Sequence, residues 1–160
     1  MSIKIYTDGS SKGNPGPGGY GVVLVSDEGH RKEVAKGFRK TTNNRMELLS
    51  VIVGLEMIKS KPMDVVVFSD SKYVVDAIEK KWVFKWEKVF FDKKKNADLW
   101  KRFLKIYRQH NVRFIWIKGH NNHTENERCD RLAVAAAKSE KQHEIDKGYE
   151  ASFNQNNALF

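Results

Sequence analysis

The stretch from Ile3 to Gly21 constrains the fold of this chain more than any other, because it joins a strand pattern to a glycine-rich segment. Ile3 and Ile5 alternate with polar neighbours, as in a β-strand, and Asp8 follows at the predicted end of that strand. Six of the eleven glycines come next, and glycine lets a polar ligand approach the backbone closely. A carboxylate beside such a loop indicates a metal or phosphate site, although a hairpin turn closed by an aspartate explains the same residues equally well.

The charge of the chain indicates a polyanionic partner. Lys and Arg outnumber Asp and Glu by 29 to 20, which gives a formal net charge of +9. Nucleic acid is the first polyanion to expect and a membrane surface the second, and a basic protein without such a partner is the remaining alternative. The single Cys129 offers no disulfide framework, and no apolar run approaches the length of a membrane span. We therefore expect a cytoplasmic protein that has no membrane partner.

The order of the predicted elements favours a mixed sheet flanked by helices. The first three strands follow one another closely and are expected to form an antiparallel meander. A short continuous apolar run, Val65–Phe68, is typical of a central strand that is covered on both faces. The predicted elements are strands over residues 3–8, 20–25, 33–38, 65–69 and 112–117, a helix over 43–59 capped by Asn43 or Asn44, helices over 71–80 and 97–110, and a final helix with a capping box at Thr124 and Glu127.

Asp8 and Asp70 each follow a predicted strand. If the intervening helix makes a right-handed crossover, the two strands are parallel neighbours, and both carboxylates lie at the same edge of the sheet. Two carboxylates this close repel each other unless one takes a proton or a cation lies between them. Oxygen ligands select hard cations, so Mg²⁺ is the expected ion and Mn²⁺ an alternative. Capping of a turn by Asp8 and of a helix by Asp70 are equally consistent with the sequence.

Two further acidic residues stand near predicted helix starts. Glu47 lies three residues after Asn44, where it would also complete a capping box. Asp130 lies early in the last helix, where a negative charge near the N-terminus is favourable in any case. Position alone does not separate these four carboxylates from the other acidic residues.

Four short segments together resemble the type 1 ribonuclease H family, in its bacterial ribonuclease HI group. They occur in family order and at compatible spacing over residues 1–137. The resemblance implies an α/β, ribonuclease H-like fold, in which a five-stranded mixed sheet of three antiparallel and then two parallel strands is flanked by helices. It also implies an endonuclease that hydrolyses the RNA strand of RNA–DNA hybrids. The segments are Tyr6-Thr-Asp-Gly-Ser10, Thr41-Thr-Asn-Asn-Arg-Met-Glu47, Ser69-Asp-Ser71 and Lys118-Gly-His120 with Glu125-Asn-Glu-Arg-Cys-Asp130.

The resemblance also implies the catalytic groups. Two-metal catalysis would activate water and stabilise the leaving 3′ oxygen, which gives 5′-phosphate and 3′-hydroxyl ends. A histidine, with its ordinary pKa near neutrality, would move protons in water activation or product release. A rival zinc site at His120, His123 and Cys129 lacks a fourth soft ligand, and Cys129 falls on the apolar face of its predicted helix. The implied residues are Asp8, Glu47, Asp70 and Asp130 as metal ligands and His120 as the catalytic histidine.

The same resemblance implies how a hybrid is held. Gly9, Asn14, Asn43 and Glu47 match positions that read the RNA strand, and Lys72 stands where we expect a Gln. Residues 80–95 resemble a basic protrusion of the family, although an amphipathic helix with solvated lysines explains that composition too. The match to a DNA-phosphate pocket falls on Lys40, Thr42 and Asn96, and the binding candidates in the basic segment are Trp82, Trp86, Lys93, Lys94 and Lys95.

The chain divides into a ribonuclease H catalytic domain over residues 1–137 and a C-terminal extension over residues 138–160. The helical period fades in the extension, whose Asn- and Gln-rich end is predicted to be partly disordered. Ala158, Leu159 and Phe160 are a candidate for weak docking to a protein partner, although disordered chain ends often look alike. We expect a monomer that acts on RNA–DNA hybrids. A catalytically silent hybrid-binding module is disfavoured because none of the four carboxylates is lost. Another nuclease or transposase on this fold and a reverse transcriptase domain are disfavoured by the complete motifs and the start at Met1.

Overall fold

Five strands and six α-helices make up the part of the chain that the computed structural model describes, residues 2–118 and 123–158, the last six of these by backbone alone. The strands are β1 (Ser2–Ser11), β2 (Gly16–Ser26), β3 (Arg31–Thr41), β4 (Asp64–Ser69) and β5 (Asn111–Trp116). The helices are α1 (Asn43–Glu56), α2 (Lys72–Glu79), α3 (Trp82–Lys88), α4 (Ala97–Tyr107), α5 (Thr124–Lys138) and α6 (Lys147–Ala158), with a 3₁₀ turn at Glu140–Gln142.

The strands form one sheet in the order β3-β2-β1-β4-β5. β1, β2 and β3 are antiparallel, while β4 pairs in parallel with β1 and β5 in parallel with β4. The predicted five-stranded mixed sheet is therefore confirmed. In the parallel ladder Tyr6 is opposite Phe68, and their rings stack with centroids 4.8 Å apart. Asp8 and Asp70 each lie two residues beyond this pair, so the crossover through α1 brings both to the same edge of the sheet.

Helices cover both faces of the sheet. Ile5 and Val22 lie in the main core, and a side chain at Gly54 of α1 would collide with them. Gly21, next to Val22, points the other way, because alternate residues of a strand face opposite sides, and a side chain there would collide with Cys129 of α5. The sheet is therefore held between α1 on one face, with α4 packed against α1, and α5 on the other.

The glycine-rich segment differs from the prediction. β1 continues through Asp8 to Ser11, and Asp8 pairs with Gly21, so the connecting loop is only residues 12–15. The predicted end of the strand at Asp8 is therefore wrong. A Cβ on Gly19 would lie 2.7 Å from the carbonyl oxygen of Ala133, and one on Gly37 would collide with Ala136. These glycines lie within strands, where the absence of a side chain lets the backbone of α5 pack close to the sheet. They are therefore not part of a long loop.

The helix starts also differ in detail. Thr42 caps α1, with its Oγ1 accepting from the backbone N–H of Arg45 at 3.3 Å, so neither Asn43 nor Asn44 is the cap. Ser71 caps α2, which leaves Asp70 outside the capping role. The predicted capping box of α5 is wrong, because Thr124 is already the first helical residue and cannot cap it. None of the described helices has the length and apolar character needed to cross a membrane.

The chain after α5 returns to the sheet. Glu144 makes a parallel bridge to Phe38 of β3, in which its N–H donates to the Gly37 carbonyl at 2.9 Å and its carbonyl accepts from the Arg39 N–H at 3.0 Å. The outer edge of β3 is thereby partly covered, and α6 begins three residues later. The division of the chain into a domain and an extension stays a prediction.

Candidate metal centre and nucleic-acid interface

Three carboxylates meet at one edge of the sheet. Asp8 comes from β1, Asp70 directly follows β4, and Glu47 lies early in α1. One oxygen from each lies within 4.8 Å of the other two. Three of the four predicted metal ligands therefore share a single small site.

Gly9 is what lets Glu47 reach this site. A Cβ at Gly9 would stand 2.5 Å from the backbone nitrogen of Glu47, so α1 rests directly on β1 at this point. The N–H of Gly9 also donates to Asp8 Oδ1 at 2.9 Å. Gly9 therefore sets the spacing of two carboxylates, whereas its predicted contact with RNA stays a prediction.

The electrostatics of this site favour a bound cation. Burial, followed by the charges of Asp70 and Asp130, raises the pKa of Asp8 to about 8, although the hydrogen bond from the Gly9 N–H acts in the opposite direction. Burial, followed by the charges of Asp8 and Asp70, raises the pKa of Glu47 well above its ordinary value. Glu47 Oε2 is buried without a hydrogen-bond partner among the described residues. An orphaned oxygen beside two crowded carboxylates fits a hard divalent ion.

Asp130 lies beside this group. Its charge and a hydrogen bond both raise the pKa of Asp8, which places it next to that residue, yet it is not one of the three mutually close ligands. The helix α5 that carries it is held by Cys129, whose buried Sγ donates to the Tyr6 carbonyl at 3.2 Å. That contact commits Cys129 to packing against β1, which weakens the zinc alternative. The predicted catalytic His120 lies outside the described residues.

The residues predicted to read the RNA strand are neighbours. Asn14 Oδ1 accepts from the backbone N–H of Asn43 at 3.1 Å, which ties the loop over residues 12–15 to the start of α1. Glu47 is one helical turn further along, against Gly9. The structure thus brings all four predicted positions together around the first turns of α1.

Arg45 joins the residues of the predicted phosphate pocket. Its backbone N–H donates to Thr42, and its Nη1 donates to Asn96 Oδ1 at 3.3 Å. Asn96 Nδ2 donates to the Tyr73 hydroxyl at 2.9 Å, and Lys40 stands two residues before Thr42 at the end of β3. Sequence reasoning missed Arg45, although an arginine between Asn44 and a run of apolar helical residues was a usable signal.

Lys72 lies near the end of β4 that leads into Asp70. Its Nζ is 4.7 Å from the centre of the Trp116 ring, and Trp116 Nε1 donates to the Asp70 carbonyl at 3.3 Å. The ammonium group therefore stands beside the strand end that carries Asp70. Trp116 was missed in the sequence, where its strand showed only a general apolar pattern.

The basic segment is a short helix followed by a tight turn. Trp86 of α3 packs edge-on against Trp100, with ring centroids 5.7 Å apart, and Lys94 Nζ lies 4.9 Å from the Trp86 ring centre. Trp82 is 41% exposed, and Phe90, which was not singled out in the sequence, is 88% exposed. Trp86 is thus partly a core residue, whereas Trp82 and the exposed lysines at 93–95 face solvent.

Comparison with known proteins confirms the resemblance seen in the sequence. The family model described as RNase H matches residues 1–138. A ribonuclease H of Desulforamulus reducens is 59% identical over 141 residues, which span 85% of this chain and 87% of that protein. Among solved structures, LC9-RNase H1, a type 1 RNase H with the type 2 active-site motif, is 34% identical with a TM-score of 0.77 and covers 94% of this chain and 79% of its own. LC11-RNase H1 in complex with an RNA/DNA hybrid is 30% identical with a TM-score of 0.64, over 84% of this chain and 96% of its own.

Proposed function

Because this chain belongs to the ribonuclease H family and is an endoribonuclease of that type, we propose that it hydrolyses the RNA strand of RNA–DNA hybrids with the help of two Mg²⁺ ions. The observation that supports this most directly is the group formed by Asp8, Glu47 and Asp70, whose oxygens lie within 4.8 Å of one another. The solved complex of LC11-RNase H1 with an RNA/DNA hybrid supports the choice of substrate.

The four carboxylates Asp8, Glu47, Asp70 and Asp130 are the residues that would hold the ions. When bound, such ions help water to attack the phosphorus and stabilise the departing 3′ oxygen, so the products carry 5′-phosphate and 3′-hydroxyl ends. Burial and mutual repulsion raise the pKa of both Asp8 and Glu47, so an ion bound there would compete with a proton for these carboxylates. His120 is proposed to move protons in the same reaction.

The substrate would lie across the edge of the sheet. Gly9, which contacts the backbone of Glu47, and Asn14, which is bonded to Asn43, would contact the RNA strand together with Asn43, and the 2′-hydroxyls of that strand distinguish it from DNA. The DNA strand would pass over the phosphate pocket, which we define as Lys40, Thr42 and Asn96. The exposed lysines at 93–95 would add phosphate contacts beyond it.

A cleavage assay with matched substrates tests this proposal. Labelled RNA–DNA hybrid, double-stranded RNA, duplex DNA and single-stranded RNA are each incubated with Mg²⁺ or with EDTA. We expect cutting of the hybrid alone, with Mg²⁺ alone, and its loss by at least about a hundredfold in Asp70→Asn.

The matched control is Asp64→Asn, at the exposed opposite end of the same strand, which should cut like the wild type. Binding of the hybrid without any cutting would instead identify a silent binding module. Cutting that persists in EDTA, or equal loss in both variants, would contradict catalysis through the carboxylate group.

A further inference from the structure

We propose that the chain after α5 is a positioning element for substrate binding, in which Asp146 acts through Arg45 to orient Asn96 in the phosphate pocket. This inference rests on the proposed function, because it concerns how the DNA strand of the substrate is held.

The segment is fastened to the sheet on both sides of Asp146. Before it, Glu144 bridges to β3 through its backbone, and its side chain pairs with Lys36 at 2.9 Å. After it, Glu150 accepts two hydrogen bonds from Arg39, at 2.7 and 2.9 Å. Asp146 is therefore held at a fixed distance from the end of β3, where Thr41 and Thr42 lead into α1.

Asp146 is buried and fully engaged. Its Oδ2 accepts from Thr41 Oγ1 at 2.6 Å and from Arg45 Nε at 2.8 Å, and its Oδ1 accepts from Arg45 Nη2 at 2.9 Å. The backbone N–H of Tyr149 donates to Oδ1 as well, at 3.2 Å. A two-point bond between a carboxylate and a guanidinium fixes the plane of the arginine as well as its position.

The other side of Arg45 faces the start of α4. Nη1 and Nη2 donate to the two oxygens of Asp98 at 2.9 and 2.8 Å, and Nη1 also donates to Asn96 Oδ1 at 3.3 Å. Arginine has donors only, so the amide of Asn96 must turn its oxygen towards Arg45 and its NH₂ group away. One N–H of that group is donated to Tyr73, which leaves the second for a phosphate oxygen.

The packing at Gly148 shows how closely the segment approaches this arrangement. A Cβ there would collide with Asp98 Oδ2 and would lie 2.8 Å from Arg45 Nη2. The backbone of the segment therefore packs directly against the Arg45–Asp98 pair and helps to bury Arg45, whose side chain is only 4% exposed.

Positioning and simple electrostatics predict opposite results for Asp146. Removing a negative charge near a phosphate pocket would strengthen binding of a polyanion if charge alone mattered. If Asp146 instead orients Asn96, its removal frees the guanidinium to turn, the amide loses its fixed direction, and substrate binding weakens. The sign of the effect therefore separates the two explanations.

The experiment measures steady-state cleavage of a hybrid with Mg²⁺ by the full-length chain. Asp146→Ala is expected to raise KM about tenfold, as for loss of one charge-assisted hydrogen bond, with kcat within about twofold of the wild type. Asp146→Asn keeps the shape and one acceptor oxygen and is expected to show a smaller rise. The control Glu140→Gln removes the same charge from an exposed position of the same segment, in the 3₁₀ turn, and its KM should match the wild type.

A double-mutant cycle with Asn96→Ala tests the route of the effect. If Asp146 acts through Asn96, Asp146→Ala should change KM by less than about twofold once Asn96 is already absent. Full additivity of the two changes, or a lower KM in either Asp146 variant, would overturn the inference. Thermal unfolding in parallel shows whether each variant is folded at the assay temperature, and Asp146→Asn carries the test if Asp146→Ala is not.

The proposed function and this inference fail in distinguishable ways. If the wild type does not cut hybrids with Mg²⁺, the proposed function is wrong. If the wild type cuts and both Asp146 variants keep its KM, only the positioning role is wrong.

Discussion

A Cβ on Gly9 would stand 2.5 Å from the backbone nitrogen of Glu47, so β1 and α1 touch at the residue that follows Asp8. The separation of the Asp8 and Glu47 carboxylates is therefore set by the contact between a strand and a helix. Contacts between helices and strands thus determine where the carboxylates lie relative to one another.

Gly9→Ala should separate the two carboxylates. The added methyl group pushes the start of α1 away from β1, which we expect to cost about 1–3 kcal/mol in the free energy of unfolding. Cleavage should fall by at least about tenfold and Mg²⁺ should bind more weakly, as judged by titration of activity with the metal.

The control for this change is Gly54→Ala, which also overpacks α1 but against Ile5 and Val22 in the core. It should lose stability while its Mg²⁺ dependence stays that of the wild type. Equal weakening of metal binding in both variants would show that Gly9 matters only for stability.

The metal-free protein should lose stability as the pH rises. Asp8 has a pKa of about 8 in the folded chain, above its ordinary value, so its contribution is fully present below about pH 4 and is lost as the pH rises through 8. In EDTA, Asp8→Asn should therefore be more stable than the wild type at pH 8, by about 1–3 kcal/mol.

Urea denaturation in EDTA from pH 5 to pH 9 measures this difference, and a repeat with Mg²⁺ should reduce it because the ion replaces the proton. A difference between Asp8→Asn and the wild type that does not change with pH would contradict the raised pKa.

His110 should act in the opposite direction and at lower pH. Its Nδ1 accepts from the Met63 N–H at 3.1 Å, and burial followed by the charge of Lys61 lowers its pKa below the ordinary value of 6.5. Its contribution is therefore present above about pH 6.5 and is lost as the pH falls through the folded pKa. His110→Asn keeps an acceptor without a titrating group, so the difference in stability between variant and wild type should change below pH 6.5. Denaturation curves that stay parallel from pH 8 to pH 5 would remove His110 from this role.

Replacing the three lysines 93–95 by Ala should flatten the salt dependence of hybrid binding. Each lost phosphate contact lowers the slope of log affinity against log salt by about 0.9, so we expect a decrease of about 1 to 3. The matched control replaces Lys59, Lys61 and Lys105, which lie towards the end of the sheet opposite Asp70. Binding measured from low to high salt should leave the control slope unchanged, and equal flattening in both variants would indicate a general effect of charge.

Apolar runs and their order were sufficient to predict the sheet, because they report on nearest neighbours along the chain. Asp8, Glu47 and Asp70 were singled out by the resemblance of four motifs to the family, since position alone did not separate them from the other acidic residues. The sequence was misleading at Asp8, because the glycines that follow this residue suggested the end of a strand, whereas β1 continues to Ser11. Two of those glycines, Gly19 and Gly21, lie against a helix more than 100 residues further along the chain, and no local pattern reveals that contact.

Arg45 and Asp146 were missed for a related reason. Their ion pair spans 101 residues and ends in a segment whose own composition predicts little structure. A buried charge is stable only with its partner, so each residue is uninformative when it is considered alone. An ion pair between residues so far apart in the sequence can be recognised only in the folded structure.

Gly19, Gly21 and Gly37 admit the backbone of α5 so closely that any side chain would collide with it. Asp130 belongs to that helix, so its position beside Asp8 depends on the absence of side chains at these three glycines. Random substitution at these three positions should therefore abolish activity in most variants, because any side chain there would displace α5. A design that transfers the four carboxylates to another scaffold would therefore also need glycine at the positions that correspond to Gly19, Gly21 and Gly37.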